Sequence, residues 1–365
     1  MLRELKRSPW ARVLYVAPSP ALGLHVIQWL VIRLASEQDL NSWVHRVGLL
    51  HSPYEAPVWP SVSSGKIVCS AQGVQAGLGQ FTLAIVDEAH AVFRSDAAYG
   101  CLQEINYEKL LLCSDDSQSS AVEQAYPSWP DIQKVNLREV VRSTKRIVAG
   151  SAAFRLDTNM ATGMATALST DGPPLKSFIF SLKEPSRRFE EYAKQILMAL
   201  WHVVHTFPGT SLHKRVAVLA PDDHFCLKLQ PLLQQRLKDE MPHRNLSLMD
   251  FKESLSSLPE QLQAAGPEPK EHLILDSMGN AEGLEQLVVI CVGLDAPIRS
   301  SSVDLETRAQ LYKALTRAQM LSIIVNEHVE GGWLEFLGTS GALLPFLFGG
   351  FLIEAENLQK GYPYH

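Results

Sequence analysis

Short apolar runs alternate with longer amphipathic ones along this chain, and the alternation occurs twice. Arg12–Val16, Lys66–Cys69, Leu83–Val86 and Leu110–Cys113 are too short for buried helices and read as strands, with Lys134–Leu137 a weaker one. Ala21–Ala35 and Ser143–Phe154 read as helices. The pattern loosens over 157–174, which is rich in Thr, Gly, Ala and Met. It then resumes with strands at Ser177–Phe180, Val216–Leu219, Leu273–Leu275, Leu287–Val292 and Leu321–Val325. Phe189–Thr206 and Asp304–Met320 read as the second set of helices, and Asn245–Glu271 is polar and punctuated by proline. Strands alternating with helices predict parallel sheets covered on both faces. A length of 365 residues exceeds one ordinary core. The expectation is therefore an α/β protein of two domains.

Composition narrows the function classes. Apolar residues make up 46% and charged residues 20%, which is ordinary for a folded soluble chain. The net charge of -6 counts against a small basic nucleic-acid-binding module. It does not count against a motor, whose positive charge can be local. The five cysteines form no CxxC pair, and Cys69, Cys113 and Cys291 fall in apolar runs. They read as buried thiols in a reducing compartment rather than as a zinc site. The opening segment is basic without an apolar core, and no stretch reaches the roughly 20 uninterrupted apolar residues of a membrane span. The expected location is intracellular, nucleus or cytoplasm, with no membrane association.

The chemistry concentrates at Leu83-Ala84-Ile85-Val86-Asp87-Glu88-Ala89-His90. A carboxylate at the carboxyl end of a buried strand can hold Mg²⁺, directly or through water. The next carboxylate can polarise an attacking water. An isolated Asp-Glu pair would more often be a strand running into an acidic helix start. The full sequence Asp-Glu-Ala-His after such a strand is far rarer. Leu311-Tyr312-Lys313-Ala314-Leu315-Thr316-Arg317-Ala318 is the second sharp segment. Leu311, Leu315 and Ala318 form an apolar stripe at helical spacing, Arg317 lies off it, and Asp304 is the N-cap candidate.

These segments resemble motifs II and VI of the superfamily 1 helicases, the UvrD/Rep-like branch. Four weaker segments follow the same order. Arg12–Leu30 resembles motif Ia, with Ser19 the candidate contact to a single strand. Leu110–Gln118 resembles motif III, with Ser114 in place of Gly and Gln118 at the position that senses the terminal phosphate. Asn136–Thr144 resembles motif IV, where Arg142 matches the arginine that contacts the γ-phosphate and Arg138 is its near neighbour. Ser277–Asp295 resembles motif V, usually Thr-x-His-x-x-Lys-Gly-Leu-Glu. Gly283 and Glu285 are kept, whereas Gly279 and Glu282 replace the His and the Lys.

The resemblance implies two RecA-like P-loop NTPase lobes, the first over 1–155, a connection over 156–175 and the second over 176–335. A tail over 336–365 would pack on the second lobe. It implies ATP and Mg²⁺ as cofactors and single-stranded DNA or RNA as partner. Asp87 would be the Mg²⁺ ligand, Glu88 the general base, and Gln118, Arg142 and Arg317 the groups that address the terminal phosphate. Gly283 and Glu285 would bind the nucleotide, and Ser19 and His90 would lie on the nucleic-acid side. The phosphate-binding GxxxxGK[ST] is not found in the 365 residues, and neither is a GxGxxG. The chain opens almost at motif Ia, so the first lobe is expected to be incomplete. An ATP-dependent helicase or translocase, as a fragment or degenerate copy, is the leading expectation. The alternative is an inactive RecA-like module that binds nucleic acid or a protein partner.

Overall fold

The computed structural model describes residues 1–37, 39–71, 80–114, 133, 135, 142–155, 170–259, 262, 270–298, 302–335 and 353–355. The chain forms two compact units. The first comprises Met1–Gln133 with Asp250–Pro269 and Gly279–Leu284, and the second comprises Lys134–Met249, Lys270–Met278 and Glu285–His365.

The elements run as follows. The first stretch contains α1 (Leu2–Arg7), β1 (Val13–Ala17), α2 (Pro20–Arg33), α3 (Leu40–Val44), β2 (Val47–His51), β3 (Trp59–Ser63), β4 (Lys66–Ser70), β5 (Leu83–Val86), α4 (Ala89–Val92), α5 (Asp96–Glu104) and β6 (Leu110–Leu112). The second contains α6 (Lys145–Ser151), β7 (Leu175–Phe180), α7 (Arg188–Thr206), β8 (Val216–Ala220), α8 (Asp223–Glu240), β9 (Leu246–Met249), α9 (Phe251–Ser256), β10 (Glu271–Ser277), β11 (Gln286–Val292), α10 (Ser302–Thr316), β12 (Ala318–Glu327) and β13 (Ile353–Ala355).

In the first unit β2-β1-β5-β6 form a parallel sheet. Every residue of β1 is buried, as expected of a strand covered on both faces. Ser19 caps α2 by accepting from the Leu22 amide at 3.3 Å, and Pro20 opens the helix, where its missing N–H costs nothing. Helix α9 packs against α2, and the Gln28 side chain donates to the Ser257 carbonyl at 2.8 Å.

In the second unit β13-β7-β12-β11-β8-β10-β9 form a parallel sheet of seven strands. Helices α7 and α8 pack together over it, burying Tyr192, Ile196, Leu200, Leu229, Leu233 and Leu237 against Val218, Ile290 and Ile323. Both units are thus α/β with parallel sheets, which fits the RecA-like lobes expected.

The structure revises several local readings. Lys66–Cys69 is not part of the parallel sheet. As β4 it pairs with β3, antiparallel, its residue Lys66 bridges to Ser257, and Cys69 is exposed. Cys291 is buried as expected, and Cys113 only partly. The helix expected over Asp304–Met320 stops at Thr316, because Ala318 already pairs with Gln286 in the β11–β12 ladder. Asp304 therefore lies inside α10 rather than capping it. Helix α6 packs on β12 and α10, so it belongs to the second unit rather than to a lobe ending at 155. Ile353–Ala355, in the expected tail, pairs with β7 as an edge strand of the second unit.

Candidate functional site

In the first unit the acidic pair sits at the carboxyl end of β5, a strand with neighbours on both sides. The Asp87 amide donates to the Val16 carbonyl at 2.9 Å, which carries the ladder one residue past the strand. One Asp87 carboxylate oxygen accepts from the Tyr15 hydroxyl, and the other accepts from the Glu88 amide at 3.0 Å. Burial, and next the Asp87 charge, push the Tyr15 phenol far above its ordinary range, so it stays a donor. Glu88 then takes a left-handed conformation, φ 48° and ψ 47°, before α4 begins. A non-glycine residue is rarely held there without a compensating role.

His90 is fully buried behind this turn. Its Nδ1 lies 3.5 Å from a Glu88 carboxylate oxygen and 3.4 Å from the Ser114 hydroxyl, and its Nε2 lies 3.9 Å from Glu282. The Glu282 charge also adds to burial in raising the Tyr54 phenol to about 12. Thus Glu282 faces the imidazole from the segment Gly279–Leu284. That segment is fixed by two further contacts. Ser19 donates to the Asn280 carbonyl at 3.5 Å. Gly283 has φ 79°, and a Cβ there would come within 2.5 Å of Leu22. Only glycine suits both its conformation and its closeness to α2.

Ser19 is 3% exposed and His90 is 0% exposed. Both were expected on a nucleic-acid face. In this structure the Ser19 hydroxyl caps α2 and donates to the Asn280 carbonyl, and His90 is packed between carboxylates.

In the second unit a different set comes together at the amino ends of β11 and β12. Arg142 Nε lies 2.5 Å from a Glu285 carboxylate oxygen, and Gln319 donates to the other oxygen at 3.1 Å. The following residues are anchored on the start of β12. Ser143 donates to the Ala318 carbonyl at 2.7 Å, and the Thr144 amide donates to the Gln319 carbonyl at 3.1 Å. Arg317 occupies the turn between α10 and β12. Its carbonyl accepts from the Gln286 amide at 2.9 Å, and the residue is 2% exposed. The helical spacing places Arg317 off the apolar stripe, whereas α10 ends at Thr316 and Arg317 is buried in the turn that follows. Gln118 and Arg138 lie outside the described residues.

The sequence reading missed Tyr15 and the approach of Glu282 to His90. Tyr15 was detectable, since a phenol in an otherwise apolar strand needs a partner for its hydroxyl.

Among the described residues no group of three or more His, Cys, Asp or Glu could hold a metal ion. A resident metal cage does not fit here. A single carboxylate at a strand end does fit a Mg²⁺ that arrives on phosphates, which needs only one or two protein carboxylates. Each Asp87 oxygen retains a lone pair beyond the bond described. For ATP the GxxxxGK[ST] pattern that forms the cradle of amides and lysine is not found in the sequence. Among the described residues no helix is long and apolar enough to cross a membrane.

No family model matches the chain, and no curated protein does. Among solved structures it is similar to the C-terminal domain of a possible DNA helicase from Lactobacillus plantarum WCFS1. That likeness has 16% identity and a TM-score of 0.33, over 51% of this chain and 87% of that one. It is also similar to the Mycobacterium smegmatis helicase Lhr bound to ssDNA and AMP-PNP, at 15% identity and a TM-score of 0.39. There the likeness spans 87% of this chain and 40% of the Lhr chain.

Proposed function

We propose that this chain is a superfamily 1-type helicase or translocase module that acts on single-stranded DNA or RNA, retaining the acidic part of an ATPase site. The observation that carries the reading is the placement of Asp87 and Glu88 at the carboxyl tip of an internal parallel strand, with Glu88 held left-handed. Tyr15 and the Glu88 amide orient the Asp87 carboxylate toward one role, a ligand to phosphate-borne Mg²⁺, which when bound would neutralise phosphate charge. Glu88 takes the role of general base. Arg142, Arg317 and Gln118 would address the terminal phosphate, and Glu285 and Gly283 the nucleotide. Without a phosphate cradle in these residues, turnover by this chain is expected to be slight.

A second reading is a module that binds nucleic acid or a protein without turnover. The mutual neutralisation of Arg142 and Glu285 favours it, because both groups are assigned to the nucleotide in the first reading.

The test is binding of a fluorescent oligothymidylate by the 365-residue chain across a salt series, with and without MgATP, alongside phosphate release. The first reading expects salt-sensitive binding whose affinity responds to MgATP, with the response lost in Asp87→Ala. Binding indifferent to MgATP establishes the second reading instead. Absence of binding at low salt, to oligothymidylate and to an oligouridylate measured in the same way, overturns both as nucleic-acid proteins. Wild-type phosphate release by Glu88→Gln overturns the assignment of the base.

A further inference from the structure

The second unit holds a cavity of about 400 Å³ that plays no part in the reading above. It lies at the amino ends of β9 and β10, the opposite end of those strands from the carboxyl tips where ligands of parallel sheets usually bind. Lys238 comes from the last turn of α8, Asn245 and Ser247 from the entry to β9, and Lys270 from the residue before β10. Leu237 and Met241 supply an apolar wall.

The charge of this cavity is one-sided. No carboxylate is among its lining residues. Of the nearby acids, Glu240 pairs with Arg236 at 2.7 Å and Glu271 with Arg244 at 3.1 Å, while the exposed Asp239, which does not line the cavity, accepts from Gln235 at 2.9 Å and keeps its charge. Both lysines are exposed, and neither is in an ion pair among the described residues. A separate sign of positive potential comes from next door. Burial first, and then the charges of His213, Lys214 and Lys270, hold the His272 imidazole below its ordinary value. His272 is the in-register neighbour of Ser247, and its Nδ1 lies 2.6 Å from the Ser247 hydroxyl. The carbonyl end of α8 opposes an anion with roughly half a charge. Two full lysine charges outweigh it.

We propose that this cavity binds a phosphate ester, with Lys238 and Lys270 on the phosphate and Leu237 and Met241 against the organic part. Its volume suits a nucleotide-sized group. The phosphate comes either from a free mononucleotide or from the backbone of a single strand.

The experiment is trace acetylation of lysines in the full chain, read by mass spectrometry, with AMP, adenosine or oligothymidylate present. Lys252, which is exposed in the first unit, is the internal reference. At saturation Lys238 and Lys270 should react about tenfold more slowly, corresponding to roughly 1.4 kcal/mol, while Lys252 is unchanged. Lys270→Glu should remove the protection of Lys238. Glu88→Gln should leave it intact, which separates this site from the acidic one. Protection by AMP identifies a mononucleotide as the source, and protection by oligothymidylate alone identifies the strand backbone. No protection by either, or equal protection by adenosine, overturns the proposal.

Discussion

Arg142 and Glu285 lie 2.5 Å apart as an ion pair, each about a third exposed, with Gln319 holding the second carboxylate oxygen. The exposure limits what the pair contributes. A double-mutant cycle with Arg142→Ala and Glu285→Ala should give a coupling energy of about 0.5 kcal/mol in urea unfolding, falling with added salt. Strictly additive single effects at low salt would show that the pair contributes nothing.

Gly283→Ala should be costly. The left-handed backbone disfavours a side chain, and its Cβ would meet Leu22 at 2.5 Å. A loss of about 1–3 kcal/mol is expected by calorimetry. Measured in a Leu22→Ala background, which carries its own cost of truncation, Gly283→Ala should cost less, by the steric part alone. A neutral Gly283→Ala would refute the close approach.

Tyr15→Phe removes one hydrogen-bond donor from the half-buried Asp87 carboxylate without changing packing. The expected loss is about 1.5–3 kcal/mol, because the bond is to a charged group. Burial raises Tyr54 and Tyr192 as well, to about 12, so ultraviolet titration of the folded wild type should show these three phenols ionising late, and Tyr15→Phe should remove one of them. If Tyr15→Phe left stability unchanged, Asp87 would not depend on the phenol.

Acid should weaken the second unit through His272. Its folded-state value is lowered by burial and by neighbouring cations, so the unfolded chain takes up the proton first as pH falls. The stabilisation is complete above about pH 6.5 and is lost as the pH drops through the depressed folded value. Melting temperature should fall on acidification from neutral pH, and less steeply in His272→Gln. Parallel pH profiles for the two proteins would remove His272 from the account.

The strands that were legible in the sequence are those buried on both faces. In β1, β5, β8 and β11 nearly every residue is inside, so each reads as an unbroken apolar run. Helix α8 was not read, because Pro231 sits in its middle and interrupts a stripe formed by Phe225, Leu229, Leu233 and Leu237. Helix α9 was hidden in the polar stretch 245–271, although Asp250 accepts from the Glu253 amide at 2.6 Å and announces an N-cap. The end of α10 was overrun because Arg317-Ala318-Gln319-Met320 is compatible with helix, and only pairing with Gln286 decides otherwise. Asp87 and Glu88 were legible from an apolar run ending in two acids. The meeting of His90 with Glu282 was not, since no local pattern links residues so far apart in the chain.

Helix α9 rests on α2 through contacts such as Gln28 to Ser257, 229 residues apart in sequence. During synthesis the amino-terminal unit therefore cannot finish folding when its own sheet has emerged. It must wait for Asp250–Pro269 and then Gly279–Leu284 to leave the ribosome. Contacts of such separation close slowly. A nascent chain halted near residue 240 should present α2 uncovered, which makes it a substrate for chaperones at that stage and protected from them once both segments have emerged.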